Sequence, residues 1–426
     1  MILKNKWIEL LKDWSEKSLP KIIPREIKIV VDSDLKRSIS IIGPRRSGKT
    51  YQMFLLAEEL AKKIGKDRIA YINFERADLD LMTEKDLMLM LEAYYELYPQ
   101  NKNRAVWLFL DEIQNVSNWE RFARTCLDEG IKVVISGSSS KLLSKEVATS
   151  MAGRNISYTL LPFSFKEYLI AKEVKIQEHY SSSEKARISS LLNEYLISGG
   201  YPEAVLYPVE RERILKNIFE TAILKDVVER NKIRNTTVIK IMVKTLLTAK
   251  EFSTHKFYNQ LKSQGIKVSK TTIYTYLGYL EDAFFIFPLR KFSLSYIKSG
   301  QTIPKIYFVD NGLLSIHGVD DKGRLMENLV FVELMRREKI ISYYQGVLKE
   351  EVDFVIRKGK KVEQLIQACY GIDKLETYDR EAKALIKASK EFRCKDLLII
   401  TKDEEKEQTI KGKKIKIIPL WKWLLE

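Results

Sequence analysis

The stretch Ser38-Ile39-Ser40-Ile41-Ile42-Gly43-Pro44-Arg45-Arg46-Ser47-Gly48-Lys49-Thr50 constrains this chain more than any other. A β-branched apolar run feeds a loop of the form G-x-x-x-x-G-K-T, and a helical pattern follows from Lys49 to about residue 63. Strand, glycine-bounded loop and helix in that order make a phosphate cradle. A triphosphate needs several backbone N–H groups converging on it. Gly43 and Gly48 allow the backbone conformation and close approach, and Pro44, Arg45, Arg46 and Ser47 complete the loop. Lys49 is placed for the β- and γ-phosphates and the Thr50 hydroxyl for Mg²⁺, with the helix N-terminus adding partial positive charge. The chain is expected to bind a nucleoside triphosphate with Mg²⁺.

Apolar strands follow at residues 68–74, 105–110 and 131–136, separated by helical patterns over 83–98 and 118–129. Strands alternating with helices predict an α/β fold, a doubly wound parallel sheet. Asp111-Glu112 closes an apolar strand, so Asp111 falls at the carboxyl end of the sheet beside the loop threonine, where Mg²⁺ needs an outer ligand. Glu112 then fits the general base that polarises attacking water. The competing reading is a solvated acidic turn after a core strand.

Ser136-Gly137-Ser138-Ser139-Ser140 closes the next strand, and Ser138 and Ser139 are equally eligible to touch the γ-phosphate or to cap a helix. Arg154, just past a helix end, either reaches the γ-phosphate, in its own chain or in a neighbour within a homo-oligomer, or pairs with a carboxylate.

With 426 residues the chain exceeds one ordinary core. The three cysteines lie far apart without a C-x-x-C, which argues against a disulfide framework or zinc site and makes a reducing cytoplasm the default. No apolar run reaches the length of a membrane span, and residues 1–19 pattern as an amphipathic helix packed on the protein's own body. A net charge of +16 favours a polyanionic partner, duplex or branched DNA first, against a thermophile-like surface of mixed Lys and Glu.

Residues 43–50, 110–114, 136–143, Ala152-Gly153-Arg154 and Leu161-Pro162-Phe163-Ser164-Phe165-Lys166-Glu167-Tyr168 together resemble one family. It is the prokaryotic, notably archaeal, AAA-type ATPases with a C-terminal restriction-endonuclease-like domain, and the resemblance runs over nearly the whole chain. It implies ATP as the nucleotide, an ASCE-type core over 35–164 behind a lead-in over 1–34, and a helical lid over 165–235, interrupted at Ser198-Gly199-Gly200-Tyr201-Pro202.

Residues 236–298 pattern as a winged helix, with helices over 239–248 and 254–263 and a third capped by Ser269. Lys270, Thr271, Tyr274 and Thr275 point outward from the third helix. A hairpin over 284–297 turns at Arg290-Lys291, a basic tip for phosphate contact. Glu281 and Asp282 nearby weigh against DNA and for protein docking. Residues 299–426 resemble the PD-(D/E)XK nuclease core, with Glu327 matching the helix acid, Asp353 the first strand acid and Gln367-Ala368-Cys369 the E-x-K.

Gln367 and Cys369 depart from that pattern, losing one carboxylate and the lysine that orients water, so the domain is expected to be inactive. Lys361 would substitute only by folding back across its strand. Three functions compete: an ATPase coupled to DNA, a nucleotide-dependent switch that docks a partner protein with slow turnover, and, least favoured, an active nuclease.

Overall fold

The computed structural model describes residues 4–31, 36–140, 151, 153–293, 302–347, 350–371 and 375–426. The described chain divides into two compact units, one of residues 1–161 with 282–284 and one of residues 162–281 with 285–426.

In the first unit, β1 (Ser38–Ile42), β2 (Ile69–Asn73), β3 (Trp107–Asp111), β4 (Lys132–Gly137) and β5 (Asn155–Thr159) form an all-parallel sheet in the order β2-β3-β4-β1-β5. β1 to β3 are buried along almost their whole length, as parallel strands covered on both faces must be. The crossovers run through α2 (Lys49–Ile64), α3 (Glu84–Leu97) and α4 (Trp119–Asp128). Thr83 and Asp86 start α3 with a reciprocal capping box.

α1 (Lys4–Glu16) buries Trp7, Leu10, Leu11 and Trp14 against α3 and β2. The Trp14 indole N–H also donates to the Ile69 carbonyl at 2.9 Å. The amphipathic N-terminus therefore packs on its own unit. β5, which no apolar run announces, is a half-buried edge strand beside β1.

The second unit begins with the helix Phe165–Ala171, and its sequence dictates that start. The Ser164 hydroxyl accepts from the Glu167 N–H at 3.1 Å, and the Glu167 carboxylate accepts from the Ser164 N–H at 2.9 Å. Further helices cover Ser182–Ser198, Pro202–Leu206 and Arg211–Thr221. Between the first two of these, Gly200 approaches Phe163 so closely that a Cβ would lie 2.2 Å from its carbonyl oxygen. The buried Asp310 carboxylate accepts from the Gly200 and Gly312 N–H groups at 2.7 and 2.8 Å, joining this turn to the later chain.

Helices Thr236–Thr248, Thr254–Ser263 and Lys270–Asp282 come next, the last capped by the Ser269 hydroxyl on the Thr272 N–H at 3.0 Å. β6 (Ile286–Leu289) pairs antiparallel with β7 (Lys305–Phe308), and Lys250–Phe252 bonds to the far edge of β7. This corrects the expected hairpin: the return strand is Lys305–Phe308, and Arg290-Lys291 begins a connection instead of forming a tight tip. Among the described residues, Lys305–Phe308 is the strand that completes the ladder with β6. The Phe292 N–H donates to the Tyr343 carbonyl at 2.7 Å and the Tyr343 N–H to the Arg290 carbonyl at 3.2 Å. The rest of the expected return strand, 294–297, lies outside the described residues, as do 141–150 and Ala152.

The chain ends in a six-stranded mixed sheet, β12 (Lys406–Ile410), β13 (Lys413–Pro419), β11 (Asp396–Thr401), β10 (Lys361–Cys369), β9 (Glu351–Lys358) and β8 (Ile340–Gln345) in that spatial order. Helices Lys322–Arg336 and Leu375–Phe392 pack on it.

Candidate functional site

The loop after β1 carries the backbone strain that a phosphate cradle requires. Gly48 caps α2 at φ +100°, and Arg46 is left-handed at φ +62°, which costs a non-glycine residue about 1–2 kcal/mol. A Cβ on Gly43 would lie 2.1 Å from the Leu160 carbonyl oxygen. Arg25, in the lead-in, donates to the Ser47 carbonyl at 2.8 Å and to the Leu161 carbonyl at 2.6 Å, clamping the loop from outside. The buried Ser47 hydroxyl has no hydrogen-bond partner among the described residues. Arg45 is ion-paired with Glu75, and Pro44 offers its carbonyl inward to Lys49.

Lys49, at the first turn of α2, is buried; its ammonium donates to the Gly43 and Pro44 carbonyls at 3.3 and 3.1 Å and lies 3.4 Å from a Glu112 oxygen. The Thr50 hydroxyl donates to Asp111 Oδ2 at 2.7 Å, although β4 lies between the strands that deliver the two residues. Ser136 on β4 spans that gap, donating to Asp111 Oδ1 and accepting from the Glu112 N–H at 3.0 Å. From the other side of β3, the Tyr71 hydroxyl donates to Asp111 Oδ2 at 2.7 Å.

Burial raises the Asp111 pKa, with the Glu112 charge adding to it, while hydrogen bonds from Ser136, Thr50 and Tyr71 pull it partly back. Burial and the same carboxylate raise the Tyr71 phenol, which stays protonated as a donor. Glu112 is buried and left-handed at φ +54°, and Gln114 Nε2 donates to its Oε2 at 2.5 Å.

The structure thus gathers Gly43, Lys49, Thr50, Asp111 and Glu112 into one constellation. Ser138 and Ser139 are buried just past β4, whose end pairs with the end of β1 at Gly137 and Ile42. Arg154 is not brought there. Its carbonyl accepts from the Ser38 N–H, placing it at the opposite end of β1 from the loop, a strand length of roughly 15 Å away. Its guanidinium pairs with Asp128 at 2.5 Å. A role for Arg154 at its own chain's nucleotide is therefore corrected, because parallel strands separate their two ends by their full length. Tyr71, Ser136, Gln114 and Arg25 were not legible as site residues; Tyr71, Ser136 and Arg25 look ordinary until their distant partners are in place, and Gln114 until the left-handed turn at Glu112 brings the two side chains together.

In the second unit, Lys270, Thr271, Tyr274 and Thr275 are exposed on the helix Lys270–Asp282 as their spacing predicts. The Lys270 ammonium lies 2.9 Å from His255 Nδ1 and over the Tyr258 ring. Glu327, Asp353 and Gln367 converge beside a cavity of about 750 Å³, which Cys369 also lines. The Cys369 thiol donates to the Gly371 carbonyl, and burial pushes its pKa up to about 11. Lys361 sits at the β9–β10 hairpin end opposite Lys358, so it does not reach the acids. Lys305 does.

Residues 35–169 match the model of an AAA domain, so this part of the chain is a P-loop ATPase domain of the AAA type. The chain belongs to the same family as the uncharacterized protein MJ1544 of Methanocaldococcus jannaschii, 39% identical over 419 residues covering 95% of this chain and 89% of that protein. An uncharacterized Haemophilus influenzae protein is 30% identical over 408 residues, covering 93% of this chain and 95% of its own. Residues 189–322 and 322–423 match two domains of unknown function, DUF8612 and DUF4143.

Among solved structures, the Aeropyrum pernix ORC1 protein in complex with DNA aligns at TM-score 0.32 and 11% identity, over 78% of this chain and 93% of that one. Cdc6p from Pyrobaculum aerophilum aligns at 0.28 and 13%, over 69% and 88%. Likeness at those scores carries nothing about ligands. Among the described residues, no helix is long and apolar enough to cross a membrane.

Proposed function

We propose that the chain is a Mg²⁺-dependent ATPase whose turnover is coupled to binding or remodelling of DNA. The observation that carries the ATPase reading is the Lys49–Thr50–Asp111–Glu112 constellation, gathered from the start of α2 and the end of β3 beside the strained loop. The donor set fits Mg²⁺: a hydroxyl and a carboxylate 2.7 Å apart at the N-terminus of α2, beside a loop whose buried Ser47 hydroxyl has no partner among the described residues. Thr50 and Asp111 would hold the ion, which when bound screens the β- and γ-phosphate charge.

Lys49 must leave Glu112 and the loop carbonyls to meet the phosphates. That exchange frees Glu112 to take a proton from the attacking water, with Gln114 fixing its other oxygen. Ser138 or Ser139 supplies the polar contact to the γ-phosphate or the water. Arg154, held by an exposed pair with Asp128, would act on a neighbouring copy in a homo-oligomer.

The DNA reading rests on the net charge of +16 and on the element order helix, short strand, two helices and a two-stranded ladder in the second unit, which reads as a winged helix. Lys270, Thr271 and Tyr274 would meet DNA from the third helix, and Arg290 and Lys291 from the start of the wing. The six-stranded sheet reads as the nuclease-like domain, with cleavage abolished by Gln367 and Cys369.

The test is the steady-state ATPase rate with and without duplex, hairpin and junction DNA at low salt. Stimulation that disappears in Lys270→Ala supports the coupling. A rate indifferent to every DNA favours the second reading, a slow switch that docks a protein. The Lys49–Glu112 pair supports that alternative, because it holds cation and base together in a resting arrangement.

A further inference from the structure

Lys305 opens β7 and sends its side chain into the carboxylates of the C-terminal domain. Its Nζ lies 2.6 Å from Glu351, 2.9 Å from Glu327 and 3.1 Å from Asp353. The ammonium is buried, with only 6% of the residue exposed. The ammonium donates to Glu327 and Asp353, and Glu351 completes the ion cluster.

Fixed protein groups take further acceptor positions on two of the acids. The Tyr307 hydroxyl donates to Glu327 at 2.7 Å, and the Ala368 N–H donates to Asp353 Oδ2 at 3.1 Å. Gln367 is spent on its neighbours: its Oε1 accepts from the Asp353 N–H at 3.2 Å, and its Nε2 donates to Glu381. Gathering three carboxylates around a largely buried point, with Asp353 itself buried, requires a cation, and Lys305 is that cation.

We propose that Lys305 is the resident cation of this site: it fills the space where a divalent ion would bridge Glu327 and Asp353, so the site excludes metal, and removing the lysine opens a divalent-cation site. A divalent ion bridging Glu327 and Asp353 would need the carboxylate oxygens that the Lys305 ammonium already holds. Lys305 also does not take over the part of the lysine missing at Cys369. A water-orienting lysine needs its ammonium turned to the water or phosphate, and this one is held among three carboxylates, donating to Glu327 and Asp353. The cluster also ties β7 to β9 and the helix Lys322–Arg336. The proposal rests on the nuclease-like reading only for the expectation that a metal would belong there.

The experiment titrates nucleotide-free full-length chain with MnCl₂ and counts free Mn²⁺ by electron paramagnetic resonance. Wild type and Asp353→Asn should bind Mn²⁺ identically, whereas Lys305→Ala should gain a bound Mn²⁺ that Lys305→Ala/Asp353→Asn lacks. Thermal melting supplies a second readout: Lys305→Ala should melt below wild type in EDTA and recover in Mn²⁺, while wild type is the same in both. If Lys305→Ala does not fold, Lys305→Ala/Glu351→Gln, which relieves one charge, is measured against the same criteria.

A folded variant that gains no Mn²⁺ overturns the proposal but leaves the inactive-nuclease reading standing. Wild-type Mn²⁺ binding that is lost in Asp353→Asn overturns the proposal. Mg²⁺-dependent DNA cleavage by wild type that is lost in the same variant overturns both.

Discussion

Replacing Tyr71 by Phe removes a single hydroxyl from the nucleotide site and nothing from the core. The ring packs 5.0 Å from Trp14 and 4.9 Å from Phe54 between centroids, and Phe keeps both contacts. What is lost is the 2.7 Å hydrogen bond to Asp111 Oδ2. A hydrogen bond to a charged group contributes about 1.5–3 kcal/mol.

Under the proposed mechanism Thr50 leaves that same oxygen for Mg²⁺ when ATP binds, so Tyr71 matters more in the bound state than in the free one. Because the bond is already made in the free protein, only the part gained on binding counts, so Tyr71→Phe should weaken Mg·ATP binding by up to about tenfold, at about 1.4 kcal/mol per factor of ten. The pH dependence gives an independent sign. Asp111 holds Mg²⁺ as the carboxylate, and its pKa is already raised by burial and Glu112. Losing a donor raises it further, so affinity should begin to fall at a higher pH in the variant as the solution is acidified. Titration of a fluorescent ATP analogue against pH measures both effects. Wild-type affinity with an unshifted profile would refute the role of Asp111 as the organised centre of the site.

Three further outcomes follow from the geometry. Gly200→Ala puts a Cβ 2.2 Å from the Phe163 carbonyl oxygen, backbone against backbone, and should cost about 2–3 kcal/mol by urea unfolding; an unchanged midpoint would contradict the packing described. Burial pushes Asp310 up to about 7 from the ordinary 3.8, with the Gly200 and Gly312 N–H groups pulling it partly back. Its linked stability is thus fully present below the unfolded value and lost as pH rises through about 7, roughly 2 kcal/mol between about pH 5.5 and 8. Asp310→Asn should flatten that part of the profile, and an unaltered slope would remove Asp310 as its cause. Lys270→Ala should weaken duplex binding across sequences and lower the salt slope by about 1; binding that keeps its slope places the DNA elsewhere.

The nucleotide site was largely legible because its residues are contiguous: the loop is one segment, and Asp111-Glu112 closes an apolar strand. Its supports were not. Tyr71 and Ser136 are unremarkable strand residues until β2 and β4 flank β3. β5 and β12 carry no such signal because edge strands need no apolar run, and all of β12 but Ile410 is exposed. The misplaced return strand shows the same limit, since pairing with β6 is decided by a ladder that local propensity does not encode. Lys305 is the extreme case. Its partners Glu327 and Asp353 are 22 and 48 positions away, and its own neighbourhood reads as a plain strand.

The ATPase mechanism is tested most directly by ATP binding and single-turnover hydrolysis measured side by side on wild type and Glu112→Gln. The variant should retain Mg·ATP binding while hydrolysis is abolished, because Glu112 acts on the water and not on the phosphates. Undiminished hydrolysis by Glu112→Gln would contradict that role.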